Sequence, residues 1–72
     1  MEKIIKLLID SGFSFQFDNS SVGKELSCFE ANLYILENMD GFKCEWRSKD
    51  ITSKSCDIKF INFITHALKT ES

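Results

Sequence analysis

Residues 25–38 read "ELSCFEANLYILEN", and the fold turns on whether they form a helix or a strand. Ser27 followed by Glu30 is a capping-box pattern and argues helix. Against that, the apolar residues scatter all round a helical wheel, whereas in a strand Phe29, Ala31, Leu33 and Ile35 share one face. The next segment decides between them. "NMDG" at 38–41 is a turn signal, and "FKCEWR" alternates Phe42, Cys44 and Trp46 against Lys43, Glu45 and Arg47. A hairpin about that turn pairs residues whose numbers sum to 79. Ile35 then faces Cys44 and Leu33 faces Trp46, while on the reverse side Tyr34 faces Glu45 and Asn32 faces Arg47. One register satisfies both faces, which a helix would leave to chance. The stretch reads as a strand.

Working outward toward the N-terminus, "FSFQFD" at 13–18 alternates Phe13, Phe15 and Phe17 against Ser14, Gln16 and Asp18, the pattern of a strand with one buried face. "NSSVGK" after it is turn chemistry. "EKIIKLLIDSG" is an amphipathic helix with Ile4, Ile5, Leu7, Leu8 and Ile9 on one side, ended by Gly12. Toward the C-terminus, "SKDITSKS" reads as a polar connector. "CDIKFINFITHALK" is a second amphipathic helix, with Ser55 or Asp57 to cap its start and Lys69 to complement its negative end. The expected fold is α+β in the order α-β-β-β-α, a three-stranded antiparallel meander with two helices packed on one face. Phe13, Phe15, Phe17, Phe29, Leu33, Ile35, Phe42, Cys44 and Trp46 are the expected core.

The totals agree with one small domain over residues 1–72: hydrophobic residues make up 43% and charged residues 28%, the balance of a globular chain and not of a disordered tail. A net charge of −2 disfavours nucleic acid, since phosphate-binding domains carry a basic surplus. The apolar run in "MEKIIKLLID" is short and broken by Lys6, which suits neither a signal peptide nor a membrane span. Three widely spaced cysteines, Cys28, Cys44 and Cys56, suit reduced thiols in a cytoplasm better than a disulfide framework.

Chemistry-bearing patterns are sparse. Zinc sites draw ligands in close pairs, and the cysteines with His66 offer none. His66 stands without a nucleophile signature or a second histidine, the glycines are isolated, and no phosphate-cradling loop is present. The expectation is a non-enzyme without metal or cofactor. Two features stand out. Tyr34 and Leu36 lie on the outer sheet face among Glu30, Asn32, Lys43, Glu45 and Arg47, the make-up of a protein-binding patch; Tyr34, Leu36, Lys43, Glu45 and Arg47 are the candidate partner-binding residues. Lys59, Asn62, His66 and Lys69 form a basic-polar stripe on the last helix, with Lys54 and Arg47 near its start, a pattern that usually marks a solvated face.

Two resemblances follow from the ordered motifs. "FEANLYI", a turn, "FKCEWRSKD" and a final helix resemble the double-stranded-RNA-binding domain in topology. That family's lysine cluster and Gly-rich turn are replaced here by "ITSKSCDIKF", so its RNA-contacting residues do not carry over. The same order, with "NMDG" at the second turn and "DIKFINFITHAL" in the last helix, is similar to small phage-encoded anti-CRISPR proteins of a Cas9-inhibiting type. That resemblance implies a non-catalytic inhibitor in the host cytoplasm, monomer or homodimer, that occludes a surface on a larger protein such as a CRISPR effector. The alternative is a degenerate double-stranded-RNA-binding-like module used for nucleic acid or dimerisation.

Overall fold

The computed structural model describes residues 1–72. Helix α1 (Glu2–Asp10) leads into five strands, β1 (Gln16–Ser20), β2 (Gly23–Cys28), β3 (Leu33–Asn38), β4 (Gly41–Trp46) and β5 (Lys49–Ser53), and helix α2 (Ile58–Glu71) closes the chain. The class is α+β, and the strands form one antiparallel meander in the order β1-β2-β3-β4-β5. Five strands replace the three expected from the sequence. The register about the 38–41 turn is as read: Leu33 pairs with Trp46, Tyr34 with Glu45, and Ile35 with Cys44.

The two extra strands arise for separate reasons. Residues 25–38 are two strands joined by a 3-10 turn, Phe29–Ala31, which Asn32 closes in the left-handed conformation (φ 54°). Asparagine is one of the few residues that visits this region readily. The turn folds β2 back on β3, so that Cys28 pairs with Leu33 and Leu26 with Ile35. Phe29 is thereby lifted out of the expected core and is 73% exposed. Asn32 leaves the sheet and does not face Arg47 across it. The polar connector supplies β5 through a two-residue turn in which Arg47 has φ 57°. Ile51 is that strand's only large apolar residue, too little to give a hydrophobic period.

β1 is also shifted. Gly12 (φ 80°) ends α1 by directing its own N–H to the carbonyl of Ile9 and the N–H of Phe13 to that of Leu8, the paired bonds of a Schellman close. Phe13 is thus tethered to the helix, and Phe13 and Phe15, both before the strand, are half-buried against the core. Only Phe17 of the three rings lies within β1, and it is 42% exposed.

One inner row, Phe17–Leu26–Ile35–Cys44–Ile51, crosses all five strands. Its three central members are fully buried beneath Ile4 and Leu8 of α1 and Phe60, Ile64, Ala67 and Leu68 of α2. Trp46 is buried and Phe42 half-buried, its ring 5.5 Å from that of Phe60. Asp57 caps α2, its carboxylate accepting from the backbone N–H of Phe60 at 3.0 Å. The helices therefore cover β2 to β5 on one side, and the other side of the sheet is left bare.

Candidate protein-binding face

On the bare side two rows cross the sheet, Gln16–Ser27–Tyr34–Glu45–Asp50 and Asp18–Glu25–Leu36–Lys43–Thr52. Tyr34 and Leu36 occupy the middle strand and are half-buried by their neighbours. In these two rows the ionised groups are Asp18, Glu25, Glu45 and Asp50 against Lys43, and Asp40 and Lys54 add one charge of each sign beside Leu36, so this side of the sheet is acidic. It is a small apolar centre in an electronegative surround.

Glu25 organises that centre. Its Oε1 accepts from the Tyr34 hydroxyl at 2.5 Å and its Oε2 from the Ser20 hydroxyl at 3.1 Å. The bond to the carboxylate, with desolvation and the charges of Glu25 and Glu45 adding to it, pushes the Tyr34 phenol up to about 12. Both oxygens of Glu25 are committed, which holds the Tyr34 ring down on the sheet. Lys43 Nζ lies 3.7 Å from Glu45 Oε2, an exposed pair of little energetic weight.

Beside Leu36 an open depression of about 440 Å3 lies over β3, β4 and the end of β5, bounded by Phe42, Lys43, Thr52 and Lys54. Gly41, in its lining, lets the end of β5 pass close by. The Ser53 carbonyl approaches so closely that a side chain at 41 would collide with it, and the backbone there has φ 127°.

Of the residues singled out from the sequence, Tyr34, Leu36, Lys43 and Glu45 are brought together on this face. Arg47 is not. It sits in the β4–β5 turn, its guanidinium 5.2 Å from the centre of the Trp46 ring and its Nε donating to Glu71 Oε2 at 2.8 Å. Glu30 is also elsewhere, in the 3-10 turn, where its carboxylate accepts from the backbone N–H of Ser14 at 2.6 Å. Its place is taken by Asp18, Glu25 and Asp50. Asp18 already stood on the polar side of the first strand, without a partner strand; Glu25 fell on the inner side of a single strand run straight through 25–38; and Asp50 lay in the segment read as a connector.

Exposed apolar residues lie at the sheet's margins too. Val22 and Met39 occupy the tips of two hairpins and border one another around a shallow recess. Their turn positions in "NSSVGK" and "NMDG" were sufficient to place them in solvent. On α2, Lys59, Asn62, His66 and Lys69 are all exposed, and His66 meets the Trp46 ring edge-on, centres 5.7 Å apart. No helix is long and apolar enough to cross a membrane. No family model, no curated protein and no solved structure matches this chain.

Proposed function

We propose that the chain is a non-catalytic protein-binding inhibitor that acts by covering a surface of a larger protein. A phage anti-defence factor directed at a CRISPR effector is the most concrete form of this reading. The observation that carries it is the uncovered sheet face, with Tyr34 and Leu36 at its centre, an open depression beside them and more carboxylates than lysines around them. Aromatic and aliphatic side chains of this kind anchor interfaces when their neighbours exclude water. The acidic surround would favour a basic surface on the partner, and proteins that handle nucleic acid carry such surfaces. A standard interface takes about 800 Å2 from each partner, which is about a sixth of the 4798 Å2 that this chain exposes. Occlusion needs no reacting group.

The test is DNA cleavage by purified Cas9-type effectors loaded with guide RNA, assayed with the wild-type protein and with Tyr34→Ala and Leu36→Ala. Inhibition that falls in both variants supports the reading. Undiminished cleavage together with no detectable binding to the effectors would remove the CRISPR form of it. A gel-shift titration against duplex RNA at about 50 and 200 mM salt addresses the nucleic-acid alternative, for which affinity should collapse with salt through counterion release. Salt-sensitive RNA binding that depends on Lys54, Lys59 and Lys69 would replace the protein-binding reading altogether.

A further inference from the structure

We propose that β1 is a dimerisation strand, which pairs antiparallel with β1 of a second copy about a two-fold axis at Phe17. The inference is independent of the inhibitor reading, because it rests on the sheet edge and not on the outer face.

A two-residue loop joins β1 to β2, and Ser20 and Gly23 form the pair that closes the hairpin. In an antiparallel ladder hydrogen-bonded and non-bonded pairs alternate. Ser20, Asp18 and Gln16 therefore direct their backbone groups inward to β2, and Phe17 and Asn19 direct theirs to the open edge. All five residues of β1 are exposed. An unpaired edge is usually blunted by lysine, proline, a bulge or an overlying element. β1, "QFDNS", has no lysine or proline, and its one charge, Asp18, lies on the outer face of the sheet. The opposite edge contrasts with it: β5 carries Lys49 and Asp50, and α2 packs against it.

The edge is self-complementary in one register. A two-fold axis at Phe17 makes Phe17 and its copy a hydrogen-bonded pair that exchanges both N–H···O=C bonds, and it sets Asn19 opposite Phe15 of the other copy. It sets Asp18 opposite Gln16, a carboxylate against an amide. Moving the axis to Asp18 would set carboxylate against carboxylate and bring together residues whose backbone groups are already used. The Phe17 axis also brings two half-exposed rings together on the inner side, where Phe15 of each copy can reach the Phe17 of the other diagonally. The product is a continuous sheet of two five-stranded halves, with both helical layers on one side and both Tyr34 faces on the other.

The experiment is sedimentation equilibrium from low micromolar into the millimolar range, with Phe17→Lys and Asn19→Pro alongside the wild type. Wild type should reach twice the 8.3 kDa chain mass, and both variants should remain at the single mass. Far-UV circular dichroism and melting of the variants show whether they stay folded. In a Cys56→Ser background, Phe17→Cys should cross-link to itself with a short bifunctional thiol reagent, since the Cα atoms of a hydrogen-bonded antiparallel pair lie about 5.5 Å apart. Asn19→Cys, which does not meet its own copy, should not. A wild type that stays at the single mass, a Phe17→Lys variant that still dimerises, masses that grow without limit, or a Phe17→Cys variant that fails to cross-link would each overturn the proposal. The cross-link keeps the test open if either edge variant fails to fold.

Discussion

The indole N–H of Trp46 donates to Oε2 of Glu71 at 2.9 Å, joining the last residue of β4 to the last turn of α2. The Nε of Arg47 donates to the same oxygen at 2.8 Å, and the Asn32 amide lies 3.5 Å from it. One carboxylate thus gathers a strand end, a turn and the closing residue of the 3-10 turn. The arrangement explains how a buried tryptophan keeps its only polar atom satisfied. It also turns Arg47 away from the outer face.

The first prediction concerns acid. The bond from Arg47, followed by those from Trp46 and Asn32, lowers the Glu71 carboxyl from 4.5 to about 2. Asp57 is lowered as well, by the Phe60 backbone N–H and then the Ser53 hydroxyl. A carboxyl depressed by folding stabilises the native state above its ordinary value, and that contribution is lost as pH falls through the folded value. Wild-type melting temperature should therefore drop as pH falls from 4.5 toward 2. Glu71→Gln should melt lower at neutral pH and show a shallower acid decline, the two curves converging at the acid end. Parallel curves would show that Glu71 does not carry the acid dependence.

The second prediction separates a buried apolar residue from an exposed one. Ile35 is fully buried at the middle of the inner row, whereas Phe29 is 73% exposed. Ile35→Ala should cost about 2–5 kcal/mol in urea unfolding, a large part of the stability of so small a domain. Phe29→Ala should change it by no more than about 0.5 kcal/mol. A Phe29→Ala loss comparable to that of Ile35→Ala would mean that the ring packs inward.

Thiol chemistry supplies the third. Cys28 and Cys44 are fully buried and Cys56 is half-buried. Burial, with Glu45 adding to it, pushes the Cys44 thiol up to about 12; burial raises Cys28 too. Thiolate is the reactive species, so iodoacetamide on the folded protein should label Cys56 first and leave the other two intact until denaturant is added. Rapid labelling of Cys44 in the native state would contradict its place in the inner row.

The sequence carried the central hairpin because both of its faces had to be satisfied at once, and only one register pairs Ile35 with Cys44 while it pairs Tyr34 with Glu45. It carried both helices for the same reason: each has a wide apolar side and an identifiable stop or cap. The 3-10 turn at Phe29–Ala31 was hidden because Phe29, Ala31 and Leu33 keep strand alternation straight through it. The break lies in a backbone choice at Asn32, which hydrophobic period does not register. β5 was hidden because an edge strand beneath one helix needs a single inward apolar residue, and Ile51 alone makes no pattern. The candidate face was half legible. Tyr34, Leu36, Lys43 and Glu45 came from the hairpin that could be registered, whereas Asp18, Glu25 and Asp50 came from strands that could not.

The last prediction joins the face's chemistry to its use. The Tyr34 phenol, held near 12 chiefly by its bond to Glu25, stays neutral in the fold beyond its ordinary value of 10. A phenol raised by folding stabilises the native state below that ordinary value, and the contribution is lost as pH rises through the folded value. Tyrosinate absorbance should therefore titrate near 12 in the wild type and shift back toward 10 in Glu25→Ala. The hydroxyl is occupied inside the molecule, so under the proposed binding the partner would meet the ring face and not the O–H. Tyr34→Phe should then keep most of the partner affinity, whereas Tyr34→Ala should lose about 1–3 kcal/mol of it. If Tyr34→Phe is as damaging as Tyr34→Ala, the hydroxyl leaves Glu25 for the partner on binding. In that case the Glu25 bond positions the ring of the free protein only.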